Sequence, residues 1–173
     1  MGFSLRRKDT APSLPAEVAS GLGLLAKERV VAATRDDTGT WVVVGTARLY
    51  AVPPTGEVLA RPWHLVDNGK WDHDNYTLTV TFVDGARPQQ WVFREAAQVL
   101  PAFRERVQAS VVISEAVDLG SKSRKARVVI RKNLADGSLH DQTILGQGVR
   151  LSDPGVSEAV NATRAHLREQ VGL

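Results

Sequence analysis

The chain has 173 residues, of which 43% are hydrophobic and 24% charged, with no cysteine and a formal net charge of +3. That length and balance suit one ample core or a compact domain with an extension, and they argue against disorder over the whole chain. The missing cysteines exclude disulfides, thiolate zinc sites and thiol nucleophiles together.

At the amino terminus, Arg6, Arg7 and Lys8 look like the positive region of a secretory signal. Asp9, Pro12, Pro15 and Glu17 interrupt the apolar stretch that should follow. Arg6 stands where a myristoylation pattern needs Ser or Thr. No window reaches the ~18–20 apolar residues that span a bilayer. The expectation is a soluble, cytoplasmic protein whose first residues form a mobile lead.

Ser13-Leu14-Pro15 opens a short helical turn through Val18, ended by Gly21 and Gly23. The pattern then becomes β. Residues 29–35 form a strand candidate, followed by the turn Asp36-Asp37-Thr38-Gly39. Trp41-Val42-Val43-Val44 has the branched and aromatic content of a buried strand. Arg48-Leu49-Tyr50-Ala51-Val52 continues it, and Pro53-Pro54-Thr55-Gly56 closes a hairpin. Residues 57–65 are extended, with a shorter strand at 69–72. In residues 76–83 the period is two: Tyr76, Leu78, Val80 and Phe82 point one way and Thr77, Thr79 and Thr81 the other. Asp84-Gly85 turns the chain into a strand at 89–93.

Ala96, Val99, Leu100, Phe103, Val107 and Val111 then recur at helical spacing, with the start placed at Pro101 as first position. A second block follows. Residues 111–117 and 127–132 are extended, Ala135-Asp136-Gly137 marks a hairpin, and the return strand lies within 138–145. Asp153-Pro154 reads as cap and first position of a last helix, with the stripe Val156, Val160, Thr163, Leu167 and Val171, ended by Gly172.

Seven short strands and one closing amphipathic helix resemble the pleckstrin-homology-like (PH-like) roll, especially its bacterial branch. The segment Gly39-Thr40-Trp41-Val42-Val43-Val44-Gly45-Thr46-Ala47-Arg48-Leu49-Tyr50 resembles the hairpin of those domains, and Pro62-Trp63-His64-Leu65-Val66 the segment after it. The whole layout is similar to a group of uncharacterised actinobacterial proteins. The resemblance implies an α+β fold: a lead with a short helical turn over 1–27, a PH-like antiparallel β-roll closed by a helix over 28–110, and a C-terminal strand–strand–helix extension over 111–173 packed on the roll. It implies no activity, because one fold hosts many functions. Relatives that bind phosphoinositides use basic residues in the first hairpin loop. Here that loop is Asp36-Asp37-Thr38-Gly39, so binding is not expected there.

The charge is unevenly spread. Residues 121–132 hold Lys122, Arg124, Lys125, Arg127, Arg131 and Lys132 with no acidic residue, which makes these six the candidate anion-binding set. A solvated loop that guards a strand edge would carry the same charges. Asp72-His73-Asp74, with His64 and Asp67 nearby, is the densest set of metal-ligand types, but Asp and Asn also favour turns for their local hydrogen bonds. His140-Asp141 and His166 have no partner that spacing identifies. There is no Gly-x-Ser-x-Gly elbow, dinucleotide loop or phosphate-binding Gly-Lys-Ser/Thr motif. Trp41, Trp63, Trp71 and Trp91 all fall on expected strands, where packing competes with base stacking. No cofactor, metal or catalytic residue is assigned. The first expectation is a non-catalytic module that docks a protein or peptide on a sheet edge or groove. The second is a binder of anionic polymer or membrane surface through residues 122–132, and an enzyme of unknown class comes last.

Overall fold

The computed structural model describes residues 13–96 and 98–173, so Arg6–Lys8 and the expected mobile lead over residues 1–12 lie outside the described residues. A short helix, α1 (Ala16–Gly21), precedes two antiparallel meanders. The first is β1 (Val30–Arg35), β2 (Trp41–Gly45), β3 (Arg48–Val52) and β4 (Leu59–Pro62), hydrogen-bonded in that order. A 3-10 turn, Trp63–Leu65, leads into the second: β5 (Val66–Asp72), β6 (Thr77–Phe82) and β7 (Gln89–Val92). Helix α2 (Val99–Ser110) follows, then β8 (Val111–Ala116), β9 (Ala126–Lys132) and β10 (Leu139–Leu145), which form a third sheet in the order β10-β9-β8. Helix α3 (Val156–Gln170) ends the chain. The protein is α+β, with three antiparallel sheets.

The main core lies between the first two sheets and α2. Val42, Val44, Leu49, Val80 and Phe82 meet Trp63, Phe93 and Phe103 there. Trp63 is fully buried, donates its Nε1–H to the carbonyl of Gly45 at 2.9 Å, and meets Phe103 edge-on at 5.5 Å. Two tryptophans, Trp63 and Trp91, are core residues, and Trp63 stands in the 3-10 turn rather than on a strand. The alternation expected along β6 holds for Leu78, Val80 and Phe82. Tyr76 departs from it: at φ 51° it occupies the turn before β6 and is exposed. A left-handed residue breaks the pleat, so the period of two starts only after it.

The unbroken apolar run of β2 has a physical reason. Val42 and Val44 face the main core, while Val43 and Tyr50 pack on the other face of the sheet under Leu22. Residues 13–27, expected as part of the lead, therefore carry a helix and a buried leucine that covers this second face. The cover is fastened by Glu28, whose Oε2 accepts from the Tyr50 hydroxyl (2.6 Å), the Leu25 N–H (3.0 Å) and Arg48 Nη2 (3.2 Å). Burial works against the Glu28 charge, but the Tyr50 hydroxyl, the Leu25 N–H and Arg48 hold its pKa below the usual carboxylate range.

Both later helices begin differently from expectation. Helix α2 starts at Val99, which makes Pro101 its third residue. An N–H in the first turn has no intrahelical acceptor, so proline costs no bond there. Helix α3 starts at Val156 after Gly155 at φ 76°, three residues beyond the expected cap. The Asp153 carboxylate instead accepts from the Arg150 N–H (2.9 Å), and its carbonyl from the Val156 N–H (3.1 Å), so Asp153 and Pro154 shape the preceding turn. Val156, Val160 and Leu167 are buried against Val128 and Ile130 of β9, forming a second core.

Candidate binding surfaces and the fate of the basic run

Strand alternation divides the basic run. Ala126, Val128 and Ile130 point into the core under α3, which sends Arg127 and Arg131 to the other face of β9. There both arginines meet Asp67, at the start of β5. Arg131 is only 1% exposed; its Nη1 donates to Ser110 Oγ at 3.1 Å and its Nη2 to the Asp67 carbonyl at 3.2 Å. Burial pulls its pKa down from the usual guanidinium value and Asp67 opposes that shift. These two members of the candidate anion set are thus bolts between the second and third sheets, a use that leaves Arg131 no reach to a solvent ligand. Beside them, Gln142 Nε2 donates to the His64 carbonyl at 2.7 Å, and the His64 and His140 rings stack at 4.4 Å and 7°.

The other candidates behave differently. Lys132 is exposed at the far end of β9. Lys122, Arg124 and Lys125 lie in the connection between β8 and β9, and the nearest carboxylate to Arg124 is Asp153, at 3.9 Å. With Arg127 they border a cleft of about 480 Å³ whose other wall carries Ile144, Leu145 and Gly146.

A larger groove, about 710 Å³, runs between α2 and β5. Strand β5 is paired through β6 on one side only. On the face of β5 that α2 covers, Gly69 and Trp71, with Leu78 of the neighbouring β6, meet Leu100, Phe103 and Val107 to line the groove, with Arg104, Glu105 and Gln108 at its border. Gly69 is required by the packing: a Cβ there would sit 2.2 Å from Phe103 Cε1. The missing side chain lets the helix lie close to the strand. Composition gave no sign of this groove. The one local signal was a glycine inside a strand pattern.

The metal-type cluster resolves into local turns. Asp72 Oδ1 accepts from the N–H groups of Asp74 (2.9 Å) and Asn75 (3.2 Å), and its Oδ2 from the Asn75 side chain (2.8 Å). The Asn75 side chain and these backbone groups hold the Asp72 carboxyl below the usual range. His73 Nδ1 accepts from Trp71 Nε1 at 3.1 Å, whereas His64 is stacked on His140. Among the described residues no three His, Cys, Asp or Glu side chains converge on a metal-sized site. In the first hairpin loop, Asp36 Oδ1 accepts from the N–H groups of Thr38 (2.9 Å) and Thr40 (2.8 Å), so that acid shapes the turn. No helix among the described residues is long and apolar enough to cross a membrane. Comparison of the chain with family models, curated proteins and solved structures finds no match.

Proposed function

We propose that this chain is a non-catalytic, cytoplasmic interaction module built on a PH-like roll, and that it docks an extended peptide of a partner protein along β5. The fold reading is supported by a four-stranded and a three-stranded antiparallel meander followed by a helix that packs against both, the order that the sequence resemblance implies. The functional reading is carried by one observation: the apolar groove of about 710 Å³ lies between α2 and the face of an edge strand, β5, whose outer side has no strand partner.

An added strand would take its main-chain hydrogen bonds from β5 and set alternate side chains against Trp71, Leu100 and Val107. Arg127 and Arg131 hold Asp67 at the start of β5, while Asn68 and Lys70 beyond it are exposed. The usable edge is therefore residues 68–71. The test is to pan a random peptide library on the full chain and map the enriched peptides by amide chemical shifts. Shifts at 68–71 and along α2 are expected, and a bulky Gln108→Trp substitution at the groove border should weaken binding by about tenfold, roughly 1.4 kcal/mol, while Gln108→Ala leaves it unchanged. Enriched peptides that shift only residues elsewhere would overturn the reading.

A further inference from the structure

We propose that the cleft between the β8–β9 connection and the end of β10 binds a long-chain carboxylate, with its head among Lys122, Arg124 and Lys125 and its chain on the apolar floor. The site is separate from the groove beside β5.

The argument begins with the divided basic run. A polyanion needs a continuous row of free charges, yet β9 turns Arg127 and Arg131 towards Asp67. Among the described residues, no carboxylate stands within ion-pairing distance of Lys122 or Lys125, and Arg124 is 3.9 Å from its only acidic neighbour. Three cations therefore gather around one opening. The opening itself is lined by Val117, Ala126, Ile144 and Leu145, and no aromatic ring lines it. Nucleic acid would find charge there but no ring on which to stack a base. A free phosphate would find charge but leave the floor bare. An alkyl chain ending in an anion satisfies both parts, since its methylenes leave water on the floor while its head meets the cations.

The cleft is also built before any ligand arrives. The Gly146 N–H donates to the Lys125 carbonyl at 2.7 Å and ties one wall to the other. A Cβ at Gly146 would lie 2.7 Å from that same oxygen, so the closure depends on glycine. The Ser121 hydroxyl, 2.9 Å from that of Ser123, lines the mouth and offers the head group a further donor. The volume, about 480 Å³, falls in the ~300–1,000 Å³ range of small-molecule sites.

The full chain would be titrated with decanoate, 1-decanol and inorganic phosphate, and followed by chemical shifts. Decanoate should shift Val117, Ile144 and Lys125 together, and its binding should weaken with added salt. The double substitution Lys122→Glu/Lys125→Glu should lower decanoate affinity by about tenfold or more, with the circular dichroism spectrum unchanged. Decanol binding as tightly as decanoate would leave the cations without a role, and phosphate reproducing the decanoate shifts would leave the floor without one. Either outcome overturns the proposal, as does the absence of any shift in this cleft with the unmodified chain.

Discussion

The two halves of the basic run both carry cations and no acid, and they have opposite fates. Residues 122–125 lie in a connection, where nothing dictates which way each side chain points, and two of the three cations are exposed. Residues 127–131 lie in a strand buried on both faces, where alternation sorts the side chains: Val128 and Ile130 go under α3, and Arg127 and Arg131 go to the joint with Asp67. Charge density read from a sequence is therefore no measure of charge available to a ligand. Secondary structure decides how much of it reaches the surface.

Removing Arg131 is the strongest way to break this comparison. Arg131→Ala should cost about 2–5 kcal/mol in urea unfolding, because it empties a fully buried site and removes the bonds to Ser110 Oγ and the Asp67 carbonyl, leaving Asp67 paired with Arg127 alone. The opposite face of β9 is tested by Leu167→Ala. That side chain is fully buried in the core between α3 and the third sheet, and its truncation should cost about 2–4 kcal/mol. An unchanged melting temperature would mean that the apolar stripe of α3 does not hold the sheet.

Acid titration sharpens the comparison at the joint. Burial, and then the neighbouring His140, lower the pKa of His64 from its ordinary 6.5, while Asp136 opposes them and Arg131 adds to them. The unfolded chain then binds the proton more readily, so this contribution is complete above pH 6.5 and is lost as the pH falls below it. His64→Gln should flatten the stability profile in that window, measured by denaturant midpoints across pH. At the small end, Lys125→Ala should change stability by less than ~0.5 kcal/mol, because the side chain is exposed and forms no ion pair among the described residues. A loss comparable with that of Arg131 would erase the distinction between the two halves.

The elements whose own residues dictate their surroundings were legible. The threonine alternation of β6 and the stripe of α3 each encode one buried face, the branched run of β2 encodes burial, and each is placed as its pattern implies. What escaped depends on partners remote in sequence. Arg131 meets an acid 64 positions earlier, and nothing in 127–132 says that such a partner exists. The groove needs α2 to approach β5 at Gly69, and Leu22 needs an uncovered face on β2. Boundaries failed for local reasons: Asp153 and Pro154 serve a turn as well as they serve a helix start, and Tyr76 adopts a left-handed backbone that its side chain does not announce. For the candidate sites, the residue types were visible in the sequence, while their separation into bolts and rim was not.

The close approach at Gly69 also sets a rule for divergence. Position 69 and position 103 share one volume, filled entirely from the helix side by a phenylalanine ring. A descendant that gains a side chain at 69 keeps the helix in place only if 103 shrinks in step. The two positions should therefore drift as a pair among relatives of this chain, small opposite large, with the intermediate carrying both large residues purged first.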